Sequence, residues 1–515
     1  MEWSLWGVKI VHVMNAVYLD GVGMTKFGKS PRTLTELFCQ AAELALEESA
    51  TQTVDALYIG AMNPEEFTGD GNIATQVVDA LGLIGIPSLR VETASSAGAA
   101  AILAGFQAIA SGYYRRVLVL AGEKMTHLGT SATTSILARV IDKRERDCGA
   151  TMPALAAMIT EKYRKKFRLS EKRLESMLCA VALKNHLNGS KNPLAQFQKA
   201  ITREDYLGSK LIATPLRLYD CAPITDGAAA VVLTSEKTDV RLAGVGQGTG
   251  PLSLQERDIF TSFPATSRAA ERAYSMAGIS PRDVDFAEVH DAFTPFEIIT
   301  TEDLGFFPAG KGGDAVLDGQ TAVDGPLPIN PSGGLKSRGH PVGASGLAQV
   351  VEASKALRGH TLIKRAPKRA LTQSTGGLAT NNFVTILERA DAPTVQNLWS
   401  PSPVPPTAAR RHPLSTRIAA EGVVETFTIL YVTPDGFLPP LALALVRDRH
   451  GALLMAQGED NTQLKIDQEV YLRRVDGVYI FTVKSQIQKV QQAFMKLFRR
   501  KPATKAKVDG HGELE

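Results

Sequence analysis

Residues 330–346 read N-P-S-G-G-L-K-S-R-G-H-P-V-G-A-S-G: seventeen residues with five glycines and a single histidine, His340, between Gly339 and Pro341. Beyond Gly346 the apolar residues Leu347, Val350, Val351, Ala353 and Leu357 fall at helical spacing. A Gly-rich loop therefore presents one imidazole just before a helix begins. Glycine lets the backbone approach a ligand closely or adopt positive φ, and a helix N-terminus favours an anionic group. This is a way to set a histidine beside a polarised carbonyl.

The surrounding chain gives that loop partners. Upstream, a strand over 286–289 stops at His290-Asp291-Ala292-Phe293, before a helix predicted over 295–304 whose cap is Asp291. Downstream, Thr372-Gln373-Ser374-Thr375-Gly376-Gly377 reads as a Gly-rich turn ahead of a last strand over 382–387. Far upstream, a strand over 89–92 runs into Thr93-Ala94-Ser95-Ser96-Ala97-Gly98, and the small apolar run that follows predicts a helix buried all round. Further strands (17–22, 54–59, 117–121, 226–233, 240–245) alternate with helices (34–48, 72–81, 267–276). That alternation predicts an α/β fold with a mostly parallel sheet covered on both faces. In each half a central strand, ending at Val91 or Val289, stops abruptly at a polar cluster, which hints at internal duplication. Ligands of open α/β sheets lie at such strand ends.

At 515 residues the chain is too long for one ordinary core. Residues 14–240 and 241–390 read as two α/β halves, the first with a helical insert over about 123–210. The insert's basic runs, 143–146 and 162–168, read as a solvated face. A Pro-rich linker spans 391–419. Regular short strands over 420–485 predict a small β-barrel, and 486–515 form a basic tail. Hydrophobic content of 44% and charged content of 21% are those of a globular protein, and a net charge of +4 argues against a dedicated nucleic-acid surface. The four cysteines, Cys39, Cys148, Cys179 and Cys221, are widely spaced, so neither a disulfide framework nor a metal site is expected. That usage suits a reducing cytoplasm. No apolar run reaches membrane-spanning length, and residues 1–13 do not read as a signal peptide.

With these motifs in view, the first 390 residues resemble the thiolase superfamily, in particular the branch similar to the thiolase part of sterol carrier protein X. The match rests on N-x-x-G-G…G-H-P-x-G-A-S-G at 330–346, on His290-Asp291-Ala292-Phe293, on the turn 221–230 and on 184–193. The resemblance implies a thiolase fold: two pseudo-repeated α/β halves in five layers. Residues 420–485 resemble the OB-fold domain that accompanies such enzymes, without its usual cysteine zinc ribbon. By resemblance, His340 activates the nucleophile, and His290 with a water forms one oxyanion hole. Asn330 and Gly339 shape that site, and the backbone N–H groups of Ser95 and Gly376 form a second oxyanion hole. The substrate implied is an acyl-CoA, coenzyme A being part of the substrate rather than a cofactor. A homodimer is implied, and association with other acyl-CoA enzymes through the OB-fold is expected.

The departures are chemical. The family's nucleophilic cysteine is Ser95 here, and the second, acid–base cysteine corresponds to Ala292 or Ser374. Cys221 reads as packing. A thiol titrates near 8.5, about where neutral solution begins to ionise it, whereas a serine hydroxyl needs a general base. Three readings stay open at this point: thiolase-type acyl transfer on a β-ketoacyl-CoA with Ser95 in place of cysteine; retro-aldol cleavage of a β-hydroxyacyl-CoA without a covalent intermediate; and a non-catalytic CoA-binding subunit.

Overall fold

The computed structural model describes residues 14–392, 420–459 and 464–484. The N-terminal segment 1–13, nearly all of the Pro-rich linker and the basic tail lie outside the described residues.

The chain opens with β1 (Tyr18–Met24) and α1 (Leu34–Glu48). Thr33 starts that helix with a capping box: its hydroxyl accepts from the Glu36 N–H, and Glu36 accepts from the Thr33 N–H. Such caps contribute about 1 kcal/mol. Leu34, Leu37, Phe38, Ala41, Ala42 and Ala45 form its buried stripe. There follow β2 (Ala56–Gly60), β3 (Ser88–Val91), α2 (Ala97–Ala110) and β4 (Arg116–Glu123). The insert contributes α3 (Met152–Lys166), α4 (Glu171–Gly189) and a short hairpin, Leu211–Ala213 with Leu216–Arg217. The chain returns to the sheet as β5 (Gly227–Thr234). The second half brings β6 (Val240–Thr249), α5 (Pro264–Ala277), β7 (Phe286–Glu288), α6 (Thr294–Asp303), α7 (Ser345–Leu357), β8 (Arg369–Gly376) and β9 (Asn381–Arg389).

These strands form one nine-stranded sheet in the order β3-β2-β4-β5-β1-β6-β9-β8-β7. The duplication is visible in the pairing. In the first half β3, β2 and β4 are parallel, β5 is antiparallel to β4, and β1 is antiparallel to β5. In the second half β7 and β8 are parallel, β9 is antiparallel to β8, and β6 is antiparallel to β9. A parallel bridge from Ala287 to Ile329 stands where β3 stands in the first half. The halves join where Tyr18 and Leu19 of β1 meet Arg241 and Val240 of β6. Helices α2 and α7 pack on each other between the halves, while α1 and α5 cover the outer faces. Five layers result.

One expected turn is not a turn. Residues 372–376 belong to β8, whose Thr372, Gln373, Ser374 and Thr375 are all buried. Polar side chains in a central strand hide the hydrophobic alternation by which strands are read.

The C-terminal strands β10 (Glu421–Leu430), β11 (Leu441–Asp448), β12 (Leu453–Gly458), β13 (Glu469–Val475) and β14 (Val478–Val483) close into a barrel in the order β10-β11-β12-β14-β13-β10, an OB-like arrangement. The barrel and the insert share one hydrophobic cluster, with Leu430, Leu443, Leu445 and Met455 packed among Leu155, Met158 and Ile159. Lys162 and Lys165 pair with Glu425 and Asp467 of the barrel, so part of the basic run read as a solvated face instead meets a folded neighbour.

Candidate active site

His340, His290 and Ser95 line one cavity of about 250 Å³, and the strands that lead to Ser95 and His290, β3 and β7, stand at the two edges of the sheet rather than at the centre of each half. Each arrives by a different route. Ser95 precedes α2, on a loop that places Ala94 at φ 57°. Its hydroxyl donates to the Thr375 carbonyl at 3.1 Å. His290 follows β7, its N–H donating to the Gln373 side-chain oxygen at 3.0 Å. His340 is held by its own N–H, which donates to the Thr225 hydroxyl at 2.9 Å. Gly339 makes the turn into it at φ 116°, a conformation open to glycine. A β-carbon there would also meet Thr225 at 2.9 Å.

The ring of His340 is held by Ser345. The Ser345 hydroxyl lies 2.6 Å from Nδ1 of His340 and 2.9 Å from the Pro341 carbonyl oxygen. In the tautomer in which Ser345 donates to that carbonyl and accepts from Nδ1, Nε2 keeps its lone pair, as a base requires. The two imidazoles meet edge to face, with centroids 5.2 Å apart. Burial and the nearby Arg338 guanidinium push His340 down to about 3. Burial, His340 and Arg338 hold His290 well below the ordinary histidine range. Both rings are therefore neutral near neutral pH. Nδ1 of His290 is buried without a protein partner.

The remaining residues picked out by sequence stand behind this surface. Asn330, at φ 55°, accepts from the Val289 N–H at 2.8 Å and donates to Glu297 at 2.8 Å. It braces the end of β7 rather than lining the cavity. Gly376 lies so close to the Ser95 loop that a β-carbon would sit 2.0 Å from the Thr93 carbonyl oxygen. Ser374 is buried, its hydroxyl unpartnered and near Gly346. It too is absent from the cavity wall. Asp291 does not cap the helix after it, as expected, because its carboxylate turns to the Gly-rich loop. It accepts from the Leu335 N–H at 2.6 Å and from Asn185 at 2.7 Å, tying the two motifs together.

Two neighbours had no place in the expected site. Cys221 packs, as expected, against the apolar cluster that holds Phe293 and Phe296, and it also lines the cavity, in an antiparallel bridge to Phe293 beside Ala292. Burial raises its thiol to about 12, against the pull of the Lys336 charge. Lys336, buried, donates to the Cys221 carbonyl. Glu123 is fully buried, accepts from the Met62 N–H at 2.9 Å and is raised by burial to about 7. Both depend on contacts across long stretches of chain, and nothing local marks them. Apart from these polar groups the wall is largely apolar, with Met125, Val140, Met152, Phe293, Phe296 and Val342. The described residues contain no cluster able to hold a metal ion, and none of their helices is long and apolar enough to cross a membrane.

Comparison with known proteins places this architecture. Residues 17–237 match the family model "Thiolase, N-terminal domain", and 246–389 match "Thiolase C-terminal domain-like". An acetyl-CoA acetyltransferase of Methanothermobacter thermautotrophicus is 38% identical over 389 residues, 73% of this chain and 100% of that protein. Sterol carrier protein 2 of Bos taurus is 29% identical over 492 residues, 91% of this chain and 83% of that protein. A solved structure of a monomeric SCP2-thiolase like protein type 1 from Mycobacterium smegmatis superposes with a TM-score of 0.71 at 17% identity, covering 91% of this chain and 99% of that one.

Proposed function

The chain belongs to the thiolase superfamily, and on that premise we propose that it is an acyltransferase that makes or breaks the Cα–Cβ bond of a β-ketoacyl-CoA, with Ser95 as the acyl acceptor. One observation carries this reading: Ser95 and His340 line the same cavity, and in the tautomer in which Ser345 accepts from Nδ1, Nε2 of His340 is a base. In the cleavage direction Ser95 Oγ attacks the β-carbonyl carbon and its proton passes to His340. The Cα–Cβ bond then breaks, and the thioester enolate takes that proton at carbon. A coenzyme A thiol attacks the seryl ester, and its proton travels through His340 to the departing Ser95 oxygen. The N–H groups of Ser95 and Gly376 serve the first oxyanion, and His290 with a water serves the thioester oxygen. One such donor contributes roughly 3 kcal/mol. Incubation with acyl-CoAs followed by intact-mass measurement tests the proposal. An acyl adduct that disappears in Ser95→Ala supports it; thiolysis that survives Ser95→Ala overturns it.

A second reading has its own observation. The Ser95 hydroxyl is engaged by the Thr375 carbonyl, and Ala292 removes the other thiol position. Neutral His290 or His340 would then take the hydroxyl proton of a β-hydroxyacyl-CoA, and the bond would break with no covalent intermediate. Cleavage of that substrate without an adduct selects this reading. Homodimerisation belongs to the proposal as well: β3 is the outer strand of the sheet, with Leu89 exposed on it. Light scattering of the purified protein decides the point.

A further inference from the structure

We propose that the C-terminal barrel is a wall of the acyl-binding cavity, that Val432 limits the length of the acyl chain, and that the substrates are apolar acyl-CoAs of medium length. The proposal rests on the acyl-CoA reading above and names its substrate class.

The barrel reaches the cavity by backbone pairing. Leu430 at the end of β10 pairs with Ala213 of the insert hairpin. The Tyr431 N–H donates to the Ile212 carbonyl at 2.9 Å, and the Thr214 N–H donates to the Ile429 carbonyl at 3.0 Å. The next residue, Val432, lines the cavity beside Ile212. Side chains lock the same junction: the Thr426 hydroxyl donates to the Met158 carbonyl at 2.8 Å, and the Thr428 hydroxyl to the Thr214 carbonyl at 2.9 Å. With the shared hydrophobic cluster behind it, this wall is as firmly placed as the insert itself.

The wall selects by shape and polarity. Away from the two histidines the lining includes Leu137, Val140, Met152, Ile212, Leu218 and Val432 with Thr130, Thr134 and Thr151 among them, and no charged side chain. A volume of about 250 Å³ is several times the roughly 30 Å³ that one water takes up in the liquid. An acetoacetyl group fills only part of it and leaves the apolar wall wet. A longer apolar chain buries that wall, at about fourfold in affinity for each methylene.

The test uses the full chain and three proteins: wild type, Val432→Trp and Val432→Ala. Titration calorimetry with saturated acyl-CoAs, from butyryl to decanoyl, measures binding without turnover, and kcat/KM for the corresponding β-ketoacyl-CoAs measures selection. Affinity of the wild type should rise with chain length and then stop. Val432→Trp should weaken octanoyl-CoA by about tenfold or more while weakening butyryl-CoA far less, the size of effect a few methylenes carry in an apolar pocket. Val432→Ala should move the optimum to a longer chain. Equal losses for short and long chains in Val432→Trp, or an unchanged length profile in both variants, overturn the proposal. Val432→Ala retains the test if the tryptophan variant loses its circular-dichroism signal. Absence of turnover with a chain-length profile intact in calorimetry would sink the acyltransferase reading and leave the wall standing.

Discussion

His340 makes a sharp prediction about pH. If neutral His340 is the base, kcat/KM follows the fraction of enzyme in which it is unprotonated. An ordinary imidazole of pKa about 6.5 is neutral in only about 3% of molecules at pH ~5, which would cost some thirtyfold relative to pH ~8. Burial and the Arg338 charge push His340 to about 3, and at that value about 99% stays neutral at pH ~5. The difference between the outcomes is thirtyfold, about 2 kcal/mol in the barrier. The assay is kcat/KM for acyl transfer between pH ~4.5 and ~8, with circular dichroism at each pH to confirm folding. Buried carboxyls titrate in this window too: Glu123 and Glu288, raised by burial to about 7, and Asp291 and Asp303, raised to about 6. Glu123 lies beside Met62 of the cavity wall and Asp291 on the Gly-rich loop, so Glu123→Gln, Glu288→Gln and Asp291→Asn variants separate their limbs. A flat profile down to pH ~5 once those limbs are removed is the expected result. A limb near 6.5 that persists in all three variants would refute the assignment of His340 as a neutral base. The same shift bears on stability. The unfolded state binds a proton between about 6.5 and 3 that folded His340 refuses, so stability falls as pH drops through that range.

Three other outcomes follow from the site. Asn330→Ala should cost about 2–4 kcal/mol in urea unfolding and lower kcat, because it strands the Val289 N–H, takes one donor from the Glu297 carboxylate and places alanine at positive φ. Cys221, with its thiol raised to about 12 by burial, should react with iodoacetamide far more slowly than a free thiol at pH ~8, and acyl-CoA should slow it further. Peptide mapping after timed labelling measures this. Asp226→Ala should cost about 3–5 kcal/mol, because the carboxylate takes Lys124 at 2.6 Å and the Met125 N–H at 2.7 Å. Since Met125 lines the cavity, KM should rise as well, which thermal melts and steady-state kinetics read separately.

Much of the architecture was legible because its signals are local. Alternating strands and helices, a capping box at Thr33 and the Gly-His-Pro loop each lie within a few residues of one another, and local backbone preference decides them. Where buried polar groups are satisfied by distant partners, the pattern misleads. Strand β8 carries Thr-Gln-Ser-Thr in the interior and reads as a turn, although Gln373 is occupied by the His290 N–H and the Thr375 hydroxyl. Asp291 reads as the cap of the next helix, yet its partners are Leu335 and Asn185.

The sequence alone determined the thiolase-like α/β halves and the small β-barrel after them, and its resemblance set the expectation that Ser95, Ala292 and Ser374 stand where the family has thiols. Tertiary structure decided which of these residues share a surface. It put Ser95, His290 and His340 around one cavity, set Asn330, Gly376 and Ser374 behind it, and brought Cys221 to the same cavity together with Val432, which comes from a segment without a motif. The physical reason is the range of the interactions. Backbone propensity and periodicity act over a few residues, whereas desolvation, tautomer and cavity shape depend on which distant side chains exclude water around a group. His340 shows both: its motif is written in seventeen residues, but its neutral charge state comes from the desolvation that the whole fold imposes and from the Arg338 charge.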